Sequence, residues 1–369
     1  MASACRLRRW HWVVTRGERC YSGIWDATGD TQEMQPDLLS LHRNEYYYEH
    51  SHQVRHLLEG PVSPTLVSSY ASRQTLEEFI SSLADSLKIP AHLVTLYHGA
   101  EDALFKMLSW AASKQMRVHT TSWGWAEYMR MMQGLELEVI QTPLVRRDDA
   151  FAHPTIDFTA ALAQSNSPAL VLLASPNNPT GHTVDDSEII RLAELFPQHM
   201  FLVDQVYTPF TTSTFAPLSH QNNVITLGSF SKFFGLPGLR CGFAVGRVPA
   251  VQSMALGPAP WSLRLCSAAM QDLEHYQRHW EHMQQTASNL QNYVTPSGRF
   301  IQTAAPFVLF RCDPKTDEPA IVAAQLEARV KGKVLTAQGE LYVRWSLGSP
   351  EAEERIRKCI QTLEKQANY

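Results

Sequence analysis

The hydrophobic period changes along this chain, and the changes mark its elements. Leu76, Phe79, Ile80, Leu83 and Leu87 recur three or four residues apart, which predicts an amphipathic helix. Thr75-Leu-Glu-Glu78 reads as the capping box that opens it. The apolar run Val94–Tyr97 predicts a short strand, and Ala103–Ala112 a helix. Met116–Thr120 and Leu135–Ile140 read as strands on either side of a helix from Trp125 to Met132. Ala169–Ala174 is continuously apolar over strand length, the pattern of a strand covered on both faces. Asp185–Phe196 reads as a helix stopped by Pro197, and Phe201–Val203, Val224–Leu227 and Cys241–Val245 as further buried strands. Strands alternating with helices predict an α/β fold with a mainly parallel sheet and helices on both faces.

After residue 250 the character shifts. Ser267–Tyr293 predicts one long helix rich in Gln and His; Phe307–Phe310 and Leu341–Trp345 predict strands. Ser349-Pro350 places an N-cap before a proline at the first helical position, opening a terminal helix to Lys365. The expected division is an N-terminal arm over 1–45 that joins the small domain, a large domain over 46–254, and a small α+β domain over 255–369. There is no internal repeat and no low-complexity tract.

Composition narrows the function classes. The chain has 369 residues, 44% hydrophobic and 18% charged, which excludes wholesale disorder. Its formal net charge of −4 offers no basic field for nucleic acid, and no apolar run approaches the roughly 20 residues of a membrane span. Cys5, Cys20, Cys241, Cys266, Cys312 and Cys359 are scattered without a C-x-x-C, which fits a reducing, cytoplasmic setting. Arg6, Arg8, Arg9, Arg16 and Arg19, with Trp10 and Trp12, partly resemble a transit peptide but lack its serine richness; a basic surface arm is expected.

Three polar segments follow buried strands, where open α/β sheets bind ligands. Ser175-Pro-Asn-Asn-Pro-Thr-Gly181 is a sharp turn that presents Asn amides, although Asn-Pro alone is also an ordinary turn. In Val203-Asp204-Gln-Val-Tyr207 the carboxylate follows apolar residues and needs a cationic partner. A protonated cofactor ring nitrogen or an arginine would both serve. In Gly228-Ser-Phe-Ser-Lys232-Phe-Phe-Gly235, a lysine sits among phenylalanines, which lowers its pKa and favours the free amine of Schiff-base chemistry. Ser229, Ser231 and Arg240 suit a phosphate. Imine lysine, ring-nitrogen carboxylate and phosphate donors together are what a pyridoxal-phosphate enzyme needs.

Asn-Asn-Pro-Thr-Gly, Val-Asp-x-x-Tyr and Ser-Phe-Ser-Lys-x-Phe-Gly-Leu-Pro-Gly-Leu-Arg together resemble the fold-type I, class I/II pyridoxal-phosphate aminotransferases, in their histidinol-phosphate aminotransferase-like branch, over Leu41 to Lys365. The resemblance implies that Lys232 carries the Schiff base and shuttles a proton, that Asp204 keeps the pyridine nitrogen protonated, and that Tyr207 and Asn178 bond the phenolate oxygen. It implies a phosphate site from Ser229, Ser231, Arg240 and the turn at Gly99-Ala100-Glu101-Asp102. Trp123 falls where the family stacks an aromatic on the ring, and Arg344 where it clamps a substrate acid group. Tyr70 matches a tyrosine that reaches the neighbouring subunit's phosphate, which implies a homodimer with shared sites.

The departures bear on substrate. Arg43-Asn44-Glu45-Tyr46-Tyr47-Tyr48 replaces an Asn-Glu-Asn-Pro signature; Asn44 keeps a place at the substrate, while the tyrosines fit either an aromatic site or a repacked arm. Val334-Leu335-Thr336 lacks a Val-Arg-Pro arginine, and Ala305-Pro306-Phe307 lacks an asparagine, which argues against histidinol phosphate. His42, His50, His52 and His56 lack the ligand set of a metal site, and no metal is expected; His275, His279 and His282 read as a solvated helix face. The expected activity is transfer of an amino group between an amino acid, or a derivative, and a keto acid, in specialised metabolism. The rival readings are a decarboxylase or cyclase on the same scaffold and a non-catalytic paralogue.

Overall fold

The computed structural model describes residues 37–247 and 257–367. The basic N-terminal arginines, Cys5, Cys20 and most of the expected arm lie outside the described residues. Among the described residues the strands run in chain order as β1 (Leu39–Ser40), β2 (Val94–Tyr97), β3 (Arg117–Thr121), β4 (Val139–Thr142), β5 (Val145–Arg146), β6 (Phe151–Ala152), β7 (Ala169–Ala174), β8 (Met200–Asp204), β9 (Val224–Ser229), β10 (Gly242–Gly246), β11 (Gly298–Ile301), β12 (Phe307–Cys312), β13 (Val330–Lys331), β14 (Lys333–Ala337) and β15 (Glu340–Ser346).

Seven form the main sheet in the order β2-β10-β9-β8-β7-β3-β4. All its pairings are parallel except those of β10, which runs against both β2 and β9. The buried strands show why. Along β7, Leu170 and Leu172 pack on one face with Leu104 and Met107, and Val171 and Leu173 on the other with Ile189 and Leu192. A strand apolar on both faces is stable only when helices cover both. The second sheet, β11-β12-β15-β14, is wholly antiparallel. The fold is α/β with a mainly parallel large sheet and a smaller α+β portion, as expected.

The structure corrects several boundaries. The helix expected from Thr75 spans Arg73–Leu87 with Ser72 as N-cap, whose Oγ accepts from the Thr75 N–H at 3.1 Å. The long C-terminal helix is two, Pro260–Met270 and Leu273–Gln291. The strand expected over Leu135–Ile140 begins at Val139, because Gly134 ends the preceding helix and Leu137 N–H still bonds back to Met132 O.

Candidate active site

Parallel strands deliver their carboxyl ends to one edge of the sheet, and the candidate residues collect there. Gly99 (φ +87°) ends the β2 segment and caps the Ala100–Ser113 helix. Gly242 pairs with both Tyr97 and Ser229, and a Cβ on it would lie 2.4 Å from the Ala100 nitrogen. That glycine lets the helix N-terminus come up beside β9. Arg240 closes the same corner in a left-handed conformation (φ +48°); its Nη2 donates to Glu101 Oε2 at 3.3 Å and sits directly over Gly99. Ser229 Oγ donates to Ser231 Oγ at 2.8 Å and accepts the Ser231 N–H at 3.0 Å. A helix N-terminus, two hydroxyls and a guanidinium are donors suited to an anion such as a phosphate.

Asp204 is the last residue of β8, in register with Ala174 of β7. Its Oδ1 accepts the Val206 N–H at 3.0 Å and its Oδ2 the Tyr128 hydroxyl at 2.6 Å. Burial raises its pKa, opposed by those two hydrogen bonds and by Lys232. Tyr207 is buried, and its hydroxyl accepts from Asn44 Nδ2 at 2.7 Å. Asn44 stands in a left-handed conformation (φ +55°), so the backbone bends to aim this side chain inward.

Arg344 projects from β15 and is 4% exposed. It bonds Asn178 Oδ1 and the His42 carbonyl, and its guanidinium lies 5.6 Å from the centre of the Phe307 ring. Two buried atoms at this junction, Arg344 Nε and Asn44 Oδ1, have no protein partner. A buried donor and a buried acceptor left unpaired are what a polar small molecule would satisfy.

Lys232 follows β9. Its Nζ donates to the carbonyls of Arg43 (3.0 Å) and Asn44 (3.2 Å). Burial, reinforced by the Arg344 charge, lowers its pKa from 10.5 to about 8. The segment 42–48 therefore forms a strap across the amine. The Tyr46 ring packs on Gly235 (φ +63°), the Tyr46 hydroxyl bonds His279 Nδ1, and the Tyr48 hydroxyl bonds His282 Nδ1 at 2.8 Å. The tyrosine run packs as a rebuilt arm. Of the three histidines expected as a solvated face, His282 is exposed, while His275 and His279 are half-buried where the helix receives the strap: His275 Nε2 lies 2.8 Å from Glu49 O. Of the other histidines, His50 stacks on Tyr46, His42 Nδ1 meets Ser40 Oγ, and His52 stacks on His56.

Two residues lie elsewhere than the core of this cluster. Trp123 (φ +57°) packs its ring against Phe151 (5.0 Å) and Tyr342 (4.9 Å), tied to the site through its carbonyl, which accepts from Asn177 Nδ2. Tyr70 is fully exposed, in a groove with Thr75, Pro260 and Leu263. Sequence reasoning missed Tyr128 and the two strap carbonyls. Tyr128 has the 3.6-residue spacing of a core position with Met132, so nothing local marks it.

The residues present fit pyridoxal phosphate: an anion pocket, a buried carboxylate for a ring nitrogen, and an amine of lowered pKa converge on one sheet edge. Comparisons agree. The model of the family "Aminotransferase class I and II" matches residues 36–367. "Histidinol-phosphate aminotransferase 1" of Burkholderia lata is 27% identical over 298 residues, 76% of this chain and 80% of that protein. The solved histidinol-phosphate aminotransferase of Sinorhizobium meliloti, in complex with pyridoxal-5'-phosphate, superposes with a TM-score of 0.75 at 18% identity, over 89% of this chain and 91% of that one. The L-threonine-O-3-phosphate decarboxylase of Porphyromonas gingivalis superposes with a TM-score of 0.68 at 19% identity, over 90% of this chain and 100% of that one. The chain belongs to the class I and II aminotransferases and is a pyridoxal-phosphate-dependent enzyme of fold type I.

Proposed function

We propose that the protein transfers an amino group between an amino acid, or an amino-acid derivative, and a keto acid other than the histidinol-phosphate pair. The observation that carries this is the Lys232 amine, lowered to about 8 and held within reach of Asp204 and Arg344 at one edge of the sheet. Ser229, Ser231, Arg240 and the Ala100–Glu101 turn hold the cofactor phosphate. Asp204 would meet the ring nitrogen and Tyr207 and Asn178 the phenolate oxygen, while Trp123, packed on Phe151 and Tyr342, would border the ring through its backbone. The cofactor, when bound, supplies an electron sink for the pair released at the substrate's Cα.

This chain's residues do the rest. Arg344, with Asn178 fixing its fork, binds the substrate carboxylate in bidentate geometry, and the free Oδ1 of Asn44 accepts from the substrate's amino group. Lys232 Nζ takes and returns the proton at Cα; a pKa near neutrality suits it to both tasks. The buried Phe307 and Tyr207 rings keep water from this corner.

Leu335 supports the exclusion of histidinol phosphate: it packs with Trp123 and Tyr342 in an apolar cluster rather than offering a charge. Tyr70, fully exposed, supports a homodimer in which each chain completes its neighbour's phosphate site. The four described cysteines are free and buried, which supports a reducing, cytoplasmic setting, and no described helix is long and apolar enough to cross a membrane. The two sheets support the division into arm, large domain (46–254) and small domain (255–369).

The test is a spectral titration of the loaded protein with amino acids, amino alcohols and their phosphates. Conversion of the cofactor to its amino form by one donor, reversed by a keto acid, is the expected result. Release of carbon dioxide or a cyclised product without the amino form would overturn transamination in favour of a decarboxylase or cyclase.

A further inference from the structure

Tyr128 stands outside the motifs that mark this site, yet it makes the shortest contact of Asp204. It lies in the first turn of the Ala126–Gly134 helix. Its ring is held between two neighbours. Gly124 lies beneath it, where a Cβ would come to 3.2 Å of the ring, and Trp125 meets it edge-on at 5.5 Å. The hydroxyl then has one direction, and it ends 2.6 Å from Asp204 Oδ2. The Val206 N–H already occupies Oδ1. Both carboxylate oxygens are thus engaged by donors fixed on different elements.

We propose that Tyr128 is a positioning residue that holds Asp204 ionised and in the plane needed to keep a cofactor ring nitrogen protonated. This rests on the reading that Asp204 faces that nitrogen. Burial works against Asp204, since it favours the neutral acid. A neutral acid can be a hydrogen-bond donor to an unprotonated ring nitrogen, and the electron sink is then lost. A phenol donating to the carboxylate opposes this by stabilising the charged form. Burial and the Asp204 charge also push the Tyr128 phenol well above its usual range, so the proton stays on Tyr128 and the direction of donation is fixed. The other titratable groups facing Asp204 are Lys232, whose charge favours the carboxylate, and Tyr207, which stays neutral because burial raises it. Lys232 acts on Asp204 through its charge and bonds elsewhere, so Tyr128 and the Val206 N–H are the hydrogen-bond donors that hold the carboxylate.

The experiment loads wild type, Tyr128→Phe, Asp204→Asn and a 3,5-difluorotyrosine-128 protein with ring-15N pyridoxal phosphate, and follows the nitrogen chemical shift with pH. In wild type the nitrogen stays protonated through neutrality. Removing one hydrogen bond to a charged group is expected to lower the ring-nitrogen pKa in Tyr128→Phe by about one to two units, a tenfold to hundredfold weaker hold on the proton. The fluorinated phenol, a stronger donor of the same shape, is expected to move it the opposite way. A merely structural role for Tyr128 would leave the fluorinated protein like wild type, and that result overturns the proposal. So does a Tyr128→Phe profile equal to wild type while Asp204→Asn loses protonation. If Asp204→Asn itself leaves the nitrogen protonated, the reading of Asp204 fails, and the proposal fails with it for that separate reason. Circular dichroism of the cofactor-free variants separates misfolding from any of these.

Discussion

Lys232 should react as a free amine near neutral pH, and the size of that advantage follows from its surroundings. With its pKa at about 8 rather than 10.5, about a quarter of the amine is unprotonated at pH 7.5, against about one part in a thousand for an ordinary lysine. The gain is about 250-fold. Burial causes most of it and the Arg344 charge comes next; Glu45 and Asp204 act in the opposite direction. The perturbation is Arg344→Gln, which removes the cation and keeps a polar head for Asn178. The assay is competitive acetylation of the cofactor-free protein across pH 6–11, quantified on the peptide that holds Lys232, with exposed Lys315 as the internal reference. Only the pH dependence is compared, so accessibility divides out. In wild type the Lys232 midpoint should fall near 8, and in Arg344→Gln it should rise by a fraction of the total shift, because burial remains. A wild-type midpoint coincident with that of Lys315 would refute the reasoning. An unmoved midpoint in Arg344→Gln would refute the part assigned to the guanidinium.

Other outcomes are expected from packing and charge. Gly235→Ala forces a Cβ to 2.3 Å from the Tyr46 ring at φ +63°, so it should cost about 2–4 kcal/mol in a urea melt and return the Lys232 midpoint towards 10.5 as the strap lifts. Gly242→Ala pushes the Ala100 helix start away from β9; the dissociation constant for pyridoxal phosphate, followed by fluorescence, should rise at least about tenfold, and an unchanged value would remove that helix from the anion pocket. His119, 1% exposed, has its pKa lowered from 6.5 to about 4, chiefly by burial and then by His199. The unfolded chain binds the proton first, so stability is full above pH 6.5 and is lost as pH falls towards 4, by about 3 kcal/mol. His119→Phe should flatten the acid limb of a stability-versus-pH curve over that window. Ser72→Ala removes the cap of the Arg73–Leu87 helix and should cost about 1 kcal/mol, whereas Thr75→Val should cost less, since its backbone N–H is what the cap receives.

How much of this was legible in the sequence differed by the range of the interaction. β7 falls where its apolar run ends, because a strand buried on both faces has no polar residue to blur its limits. Lys232 and Asp204 stood out because each is a charge set directly against apolar neighbours in the chain. Tyr128 did not, since its partner is 76 residues away and its own spacing is that of a core residue. The histidines on the Leu273–Gln291 helix looked solvated because their partners, Tyr46 and Tyr48, are more than 230 residues earlier. The break at Gln271–Asp272 carries no proline or glycine, so periodicity alone ran through it. The short strands β1, β5, β6 and β13 have two residues each, below the length at which any alternation can be read.

The reversal of β10 has a consequence for how this chain acquires its chemistry. Because β10 returns antiparallel beside β9, Phe230 to Cys241 form a short closed circuit whose two ends are tied at Gly242–Ser229. Closing so few residues costs little chain entropy compared with the 188-residue span that brings Asn44 to Lys232. The amine and the Arg240 guanidinium are therefore ordered relative to each other by a contact of low sequence separation, early and independently of the strap. Order arrives in two stages: the nucleophile and its phosphate anchor come first, by local pairing, and the surroundings that tune the nucleophile come last, by contacts of long sequence separation.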